Sequence, residues 1–314
     1  MKTFPPLTVL FKGLITFIPG AYKIFCKGTG GTISSRYCYS VWMRHLVVTQ
    51  GARNGIMPKV VGELGPGDSI GIGLASLLSG VEKYFALDVV KHIDVKRNLK
   101  ILEELVVMFK NKERIPDKKE FPNIIPLLDN YDFPSNILTS EILFTSLADK
   151  KLKQIRKSVS NNASMEPMIS YFAPWDDKNI ISPGVADMIF SQFVLEHVND
   201  LEKSYGAMFT WLKFGGVLSN VIDFQCHGTS SEWNGHWLYS KLLWKLIVGG
   251  RSFLLNRQPA QFHIDILERN KFKVLKTERF YRESKISIKS LAAEYATISY
   301  GDLQTTMIYM QAVK

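Results

Sequence analysis

The sequence is short of cysteine. Three residues, Cys26, Cys38 and Cys226, are scattered along 314 positions, odd in number and without a CxxC pair. That argues against a disulfide framework or a cysteine-held zinc centre, and it fits a reducing, cytoplasmic setting. Long apolar runs are missing too. The N-terminal stretch FPPLTVLFKGLITFIPGAYKIFCKG is apolar but broken by Pro5, Pro6, Lys12, Pro19 and Lys23. Its unbroken pieces fall well below the roughly 18 residues that span a bilayer. No small-residue cleavage site follows a basic start, so it does not read as a signal peptide. Two readings remain. The stretch forms short helices capping a core, which the continuing pattern RYCYSVWMRHLVV favours. Or it is an interfacial segment in peripheral membrane contact, its lysines reaching for headgroups. There are no internal repeats and no low-complexity tracts.

What is present is apolar and basic. Hydrophobic residues make up 46% of the chain, enough for one large domain with additions or for two domains. The net charge of +10 attracts anions such as phosphates, anionic lipid or nucleic acid, unless it is only a basic solvated surface.

Local patterns alternate between strand and helix. Val60–Leu64 reads as a buried strand. A turn with Gly65, Pro66 and Gly67 follows, then a helix over Ser69–Leu78 with Asp68 or Ser69 as cap, then a strand over Lys83–Asp88. Such a unit is right-handed, with parallel strands. From about 91 to 163 the pattern loosens: a helix near Leu99–Phe109, a loop with Pro116, Pro122, Pro126 and Pro134, and one helix from Ser140 through the basic residues Lys150 to Lys157. A loop-rich stretch of this length inside a domain is usually a lid or otherwise functional. Strands resume at Met168–Trp175 and at ADMIFSQ; a helix over Asp200–Leu212 leads into KFGGVLSNVIDF. A loop-rich insertion at about 225–261, a helix near Phe262–Asn270 and the strands FKVLKTERF and TTMIYMQAV complete the chain. No helix of ordinary length separates the last two, so they pair as an antiparallel hairpin. The fold class is α/β: a doubly wound, mostly parallel sheet with that hairpin, a helical cap at 1–50, and a domain over 51–314 carrying the two insertions.

The glycine turn brings bare backbone against a ligand, and the helix after it aims free amides at the same space. Gly71, Gly73 and Ala75 keep that helix slim. Asp88 ends the second strand about twenty residues later, where a carboxylate can accept both ribose hydroxyls. A dinucleotide fingerprint needs a small residue where Ile70 stands, and Glu63 would repel a pyrophosphate. A cationic ligand, a sulfonium carrying an ammonium group, suits the site better.

On ELGPGDS, ALD, APWDD and ADMIFSQFVLEHVNDLEKSYGAMFTWLKFGGVL, with the terminal strand pair, the chain resembles class I S-adenosylmethionine-dependent methyltransferases, of the type 11-like core. The resemblance covers about 59–223 apart from the insertion, and it implies a seven-stranded sheet and S-adenosylmethionine as cofactor. It implies that Glu63, Gly65, Pro66, Gly67 and Ser69 line the methionine end. Asp88 would bind the ribose and Val89 pack on adenine. Trp175 and Asp176 would meet the adenine, and Gln192 and Phe193 would stand beside the sulfonium. Glu196-His197 resembles the family's xEHV turn. Asp88 as a plain cap residue and Trp175 as a core aromatic are the competing readings.

The 225–261 insertion leaves the same carboxyl edge. It carries His227, Trp233, Asn234, His236, Trp237, Arg251, Asn256 and Arg257. Aromatic faces with amide and guanidinium donors suit polyhydroxylated or anionic acceptors, with Trp233, Asn234 and Arg257 as contacts. His227 or His236 is the candidate base for a hydroxyl acceptor. His227, His236 and Asp223 show no recognised metal-ligand spacing, and no metal is expected. The expected function is O-methylation of a small molecule or a saccharide. The alternatives are a nucleic-acid methyltransferase, which the charge favours but which lacks an RNA-binding module, and a non-catalytic S-adenosylmethionine-binding protein. A nicotinamide oxidoreductase is disfavoured by Ile70 and Glu63.

Overall fold

A computed structural model describes residues 5–18, 31–90, 94–160, 168–175, 177–251 and 253–314. Seven strands form one sheet: β1 (Val60–Leu64), β2 (Lys83–Leu87), β3 (Ile169–Phe172), β4 (Ala186–Gln192), β5 (Leu212–Asp223), β6 (Lys273–Tyr281) and β7 (Thr305–Val313). Their order is β3-β2-β1-β4-β5-β7-β6. Strands β1 to β5 pair in parallel, while β7 runs antiparallel between β5 and β6. The expected doubly wound sheet with a C-terminal hairpin is therefore present. Strand order reverses between β1 and β4, so the carboxyl ends of these two neighbours flank the switch-point crevice where open α/β sheets bind ligands.

Helices cover both faces, because residues of period two along each buried strand point to opposite sides. On one face α2 (Ser35–Val48), α3 (Gly71–Leu78) and α4 (Val95–Lys110) meet Val61, Tyr84, Met188 and Phe190. On the other, α7 (Leu201–Trp211) and α9 (Ala260–Arg269) meet Leu64, Phe85, Ile189 and Leu218. The N-terminus divides in two. Helix α2 is buried along most of its length, with the Trp42 indole donating to Ser79 Oγ at 2.7 Å. Helix α1 (Leu7–Ile15) instead packs on α8 (Lys241–Val248) in the second insertion, through Val9, Trp244 and Ile247. Among the described residues no helix is long and apolar enough to cross a membrane.

One helical expectation is corrected. The single helix from Ser140 is two, α5 (Ser140–Ser146) and α6 (Asp149–Ser160). Helix α5 ends at Leu147, and α6 starts afresh with Asp149 in its first turn and Lys157 in its last. Helix α6 thus complements its own dipole at both ends, while α5 does so only at its start, through Glu141. Arg156 of α6 forms a two-pronged bond to Glu103 of α4, at 2.7 and 2.8 Å.

The slim helix α3 has a specific reason. A Cβ at Gly73 would overlap the ring of Tyr84, which is fully buried and has no room to move. Alanine in a helix gains about 1 kcal/mol over glycine, but overpacking a core costs about 1–3 kcal/mol. Gly73→Ala should therefore lower stability by up to about 2 kcal/mol in denaturant unfolding. A stabilised variant would show that Tyr84 yields.

Candidate active site at the switch point

Gly65 and Gly67 take left-handed backbone angles, φ of +64° and +71°, which glycine adopts without a Cβ penalty. The turn is tied in on both sides. Gly65 N–H donates to Leu87 O at 2.8 Å, at the end of β2. A Cβ on Gly65 would lie 2.6 Å from Val194 Cγ2, just past β4. Pro66 between them is buried.

Helix α3 starts at Gly71, not at Ser69 as expected. Ile70 holds the cap position and contributes no side-chain bond. Its N–H donates to Asn98 Oδ1 and that of Gly71 to Ser69 Oγ, both at 3.1 Å. The Ser69 hydroxyl donates to Thr32 O. Ser69 thus serves the helix start as predicted but sits two residues ahead of it, and two of the amides that a bare terminus would offer are already taken.

Glu63 is 2% exposed and accepts a hydrogen bond from the Tyr84 hydroxyl. Burial, and then the nearby Asp88 carboxylate, push its carboxyl up to about 8. Asp88 itself lies just beyond β2, nearly buried; its Oδ1 accepts from Val89 N–H at 2.7 Å and its Oδ2 from the Tyr171 hydroxyl at 3.4 Å. Val89 is half-exposed beside it. From α2, the Tyr37 hydroxyl is raised by burial and feels both Glu63 and Glu196.

Past β4 and β5 stands a second set of acids and histidines. Glu196 is 3% exposed, and neither of its carboxylate oxygens finds a hydrogen-bond partner among the described residues. Burial, and then Asp223, hold its carboxyl well above the usual range. His227 Nε2 lies 3.1 Å from Asp223 Oδ2, and its ring stands 5.2 Å from that of His197. Burial lowers His197 to about 4. A cavity of about 10 Å³, room for a single water-sized group, is lined by Glu196, Asp223, His236 and Arg257 among others. A larger depression of about 590 Å³ lies elsewhere, between Asp177–Asn179 and α7, away from the glycine turn.

Several expected ligand contacts are committed inside the protein. The Trp175 ring packs against Trp211, centroids 6.2 Å apart, within the core, which is its competing reading as a core aromatic. Gln192 accepts from buried His45 through Oε1 at 3.0 Å and donates to Ile125 O at 3.4 Å. Phe193 turns the chain there, with φ of +58°. Asn234 is fully buried and donates to Ser284 Oγ and Leu303 O at 2.9 and 2.8 Å. Trp233 donates to Glu283 O at 3.0 Å. Arg257 donates to the carbonyls of His236 and Tyr239 and lies over the rings of Trp244 and Tyr295. All three brace the insertion in the folded chain. His236 is buried, and burial holds it well below the ordinary imidazole range. Asp176 lies outside the described residues. Among the described residues no group of three or more His, Cys, Asp or Glu side chains is placed to hold a metal ion.

Three residues of this region escaped the sequence reading: Tyr37, His45 and Tyr84. Only the long apolar pattern of α2 hinted at the first two. Tyr84 reads as an ordinary strand residue until the fold brings it against Glu63.

No protein-family model and no curated protein matches the chain. Solved structures do. Phosphoethanolamine N-methyltransferase 2 of Haemonchus contortus, in complex with S-adenosyl-L-methionine, is similar over 92% of the chain at 14% identity and a TM-score of 0.42. The chain spans 61% of the length of that protein. An S-adenosylmethionine-dependent methyltransferase of Mesorhizobium loti matches 84% of the chain and 96% of its own, at 12% identity and 0.40. One from Methanosarcina mazei matches 83% and 95%, at 11% and 0.43. Likeness this distant says nothing about chemistry, which rests on the strand order and the residues above.

Because the folded state raises the Glu63 carboxyl, it favours the protonated form. That contribution is complete below about pH 4.5 and is lost as pH rises through about 8. Glu63→Gln cannot ionise. Its melting temperature should equal that of the parent near the acid end and exceed it clearly at pH 9, by a stability difference on the order of 3–5 kcal/mol. An offset that does not change with pH would show that Glu63 is not buried as an acid.

Proposed function

We propose that the chain is an S-adenosylmethionine-dependent methyltransferase acting on a hydroxyl of a small molecule or saccharide. One observation carries this reading: the glycine turn after β1, Asp88 after β2, and the acid–histidine set after β4 and β5 all converge on one switch point. The chemistry of the crevice fits the cofactor. Glu63 and Glu196, buried and held protonated, offer a pyrophosphate no positive partner, whereas a cation beside them would favour their ionised forms and be held by them. Glu63, Gly65 and Gly67 would hold the methionine end, Asp88 the ribose hydroxyls, and Val89 the adenine. When bound, S-adenosylmethionine supplies a methyl group already activated as a sulfonium.

The remaining work falls to the protein. Of the two candidate histidines, His227 is the better base, because it reaches partial exposure while His236 is enclosed. With Nε2–H donated to Asp223, its Nδ1 is left as the acceptor for the hydroxyl proton. Asp223 positions the ring. Helix α2 and the loop it pins between Pro116 and Pro126 would shield the crevice from water. Placing nucleophile and methyl in line supplies on the order of 7–11 kcal/mol.

Calorimetric titration tests the cofactor. The parent should bind S-adenosylhomocysteine and not NAD, and Asp88→Ala should weaken binding by about 1.5–3 kcal/mol. Parental affinity in Asp88→Ala would move the ribose elsewhere. For the acceptor, a screen of hydroxylated compounds with labelled methyl donor supplies the substrate. On it, His227→Gln should keep cofactor affinity and lose about 10²-fold or more in turnover. Unchanged turnover would remove His227 from the mechanism. A salt-sensitive mobility shift with RNA would instead support a nucleic-acid acceptor.

A further inference from the structure

Helix α1 is apolar on two sides. Its inner side, Val9 with Gly13, packs on α8 so closely that a Cβ on Gly13 would overlap the carbonyl oxygen of Leu246. Gly250 N–H also donates to Thr16 Oγ1 at 2.7 Å, which fixes the end of α1 to the end of α8. The outer side is a stripe at helical spacing: Leu7, Phe11 and Leu14, continued by Ile18 and flanked by Phe17. These side chains are exposed, Leu7 by 84% and Phe11 by 63%. Helix α8 repeats the pattern. Trp244 and Ile247 face inward, while Leu242 and Leu246 are exposed one turn apart, Leu242 by 73%. Phe253 adds a further exposed ring after it. An ordinary surface helix has one apolar stripe, turned to the core. Here two helices from opposite ends of the chain each carry a second one, turned outward.

The charge carried by the two helices and the sequence segments around them has one sign. The chain has no Asp or Glu before Glu63, and none between Glu232 and Asp265. Lys12, Lys241 and Lys245 stand exposed on the two helices. Nine and eight residues are too few to cross a hydrocarbon core, but they suit a helix pair lying in the interface with lysines at headgroup level. A second copy of the same face would bring lysine against lysine, which disfavours self-association.

We propose that α1 and α8 together form a docking face for an anionic lipid bilayer. The outward Leu and Phe side chains enter the acyl boundary while the lysines meet the headgroups. The face joins the candidate site through its own core: Tyr239 packs with Val9 and Trp244, and its carbonyl receives Arg257, which also holds the His236 carbonyl. Docking here does not depend on methyl transfer.

Co-sedimentation of the full chain with vesicles tests it, using phosphatidylcholine with and without phosphatidylglycerol. The parent should bind the anionic vesicles, bind neutral ones weakly, and lose affinity as salt rises. Leu7→Ser with Phe11→Ser, and separately Leu242→Ser with Leu246→Ser, should each lower partitioning by about tenfold or more. All four positions are exposed, so melting temperature should not move. Should either pair fail to fold, the triple change Lys12→Glu, Lys241→Glu and Lys245→Glu keeps the apolar stripe and should still abolish preference for anionic vesicles. No binding of the parent to anionic vesicles, parental binding by the variants, or dimerisation through this face without vesicle binding would overturn the proposal.

Discussion

A carboxyl group with no route to water sets the terms for this molecule. Glu63 points from β1 into the interior, and the Tyr84 hydroxyl on the neighbouring strand is the donor that makes its burial tolerable. That donor needs its ring flat against α3, and the ring needs Gly73 in place of any larger residue. The slim helix, the close packing of α3 on the sheet and the tight turn above β1 therefore belong to one arrangement. Its cost as an ion is the raised Glu63 carboxyl, and its use is a crevice poised to accept a positive charge.

A second polar line ties the N-terminal region to the sheet. His45 of α2 accepts from the Ser219 hydroxyl of β5 through Nδ1 and donates from Nε2 to Gln192 Oε1 of β4, at 2.7 and 3.0 Å. Burial lowers its imidazole to about 4, so the ring is neutral and can bridge as one donor and one acceptor. Arg44, one residue earlier, donates to the carbonyls of Pro116, Ile124 and Pro126 in the first insertion. One helix thus holds both the carboxyl edge of the sheet and the long loop. Carbonyls of that loop accept five hydrogen bonds from α2 among the described residues, including those from Tyr39 to Glu113 and from Ser40 to Pro116, so a segment that reads as loose is pinned from across the sequence.

The second insertion follows the same logic at the other side of the site. Its amides and guanidinium, read from composition as grips for a polar acceptor, are spent on the protein's own carbonyls. Asn234 reaches Leu303 and Arg257 reaches His236 and Tyr239. The proposed base His227 stays partly exposed and pairs with Asp223, in a left-handed turn with φ of +47°. The same insertion sends α8 outward to meet α1, so one segment borders both the candidate site and the exposed apolar face.

The elements themselves were legible because they are local. Short apolar runs marked β1, β2 and β7, Asp200 marked the start of α7 by accepting from Lys203 N–H, and two glycines marked the turn by needing positive φ. Asp88 could be placed at a strand end by counting. The break between α5 and α6 was hidden because Leu147 and Ala148 carry no breaker; tertiary packing of Leu143, Leu152 and Ile155 into one core decides it. Which polar side chains face a ligand was not legible at all. Gln192, Asn234 and Arg257 have the right chemistry and the right neighbourhood, yet their partners lie between 18 and 147 positions away. A sequence states what a side chain can bond to. Only the folded chain, which must satisfy every buried donor before any is left for a ligand, decides what it does bond to.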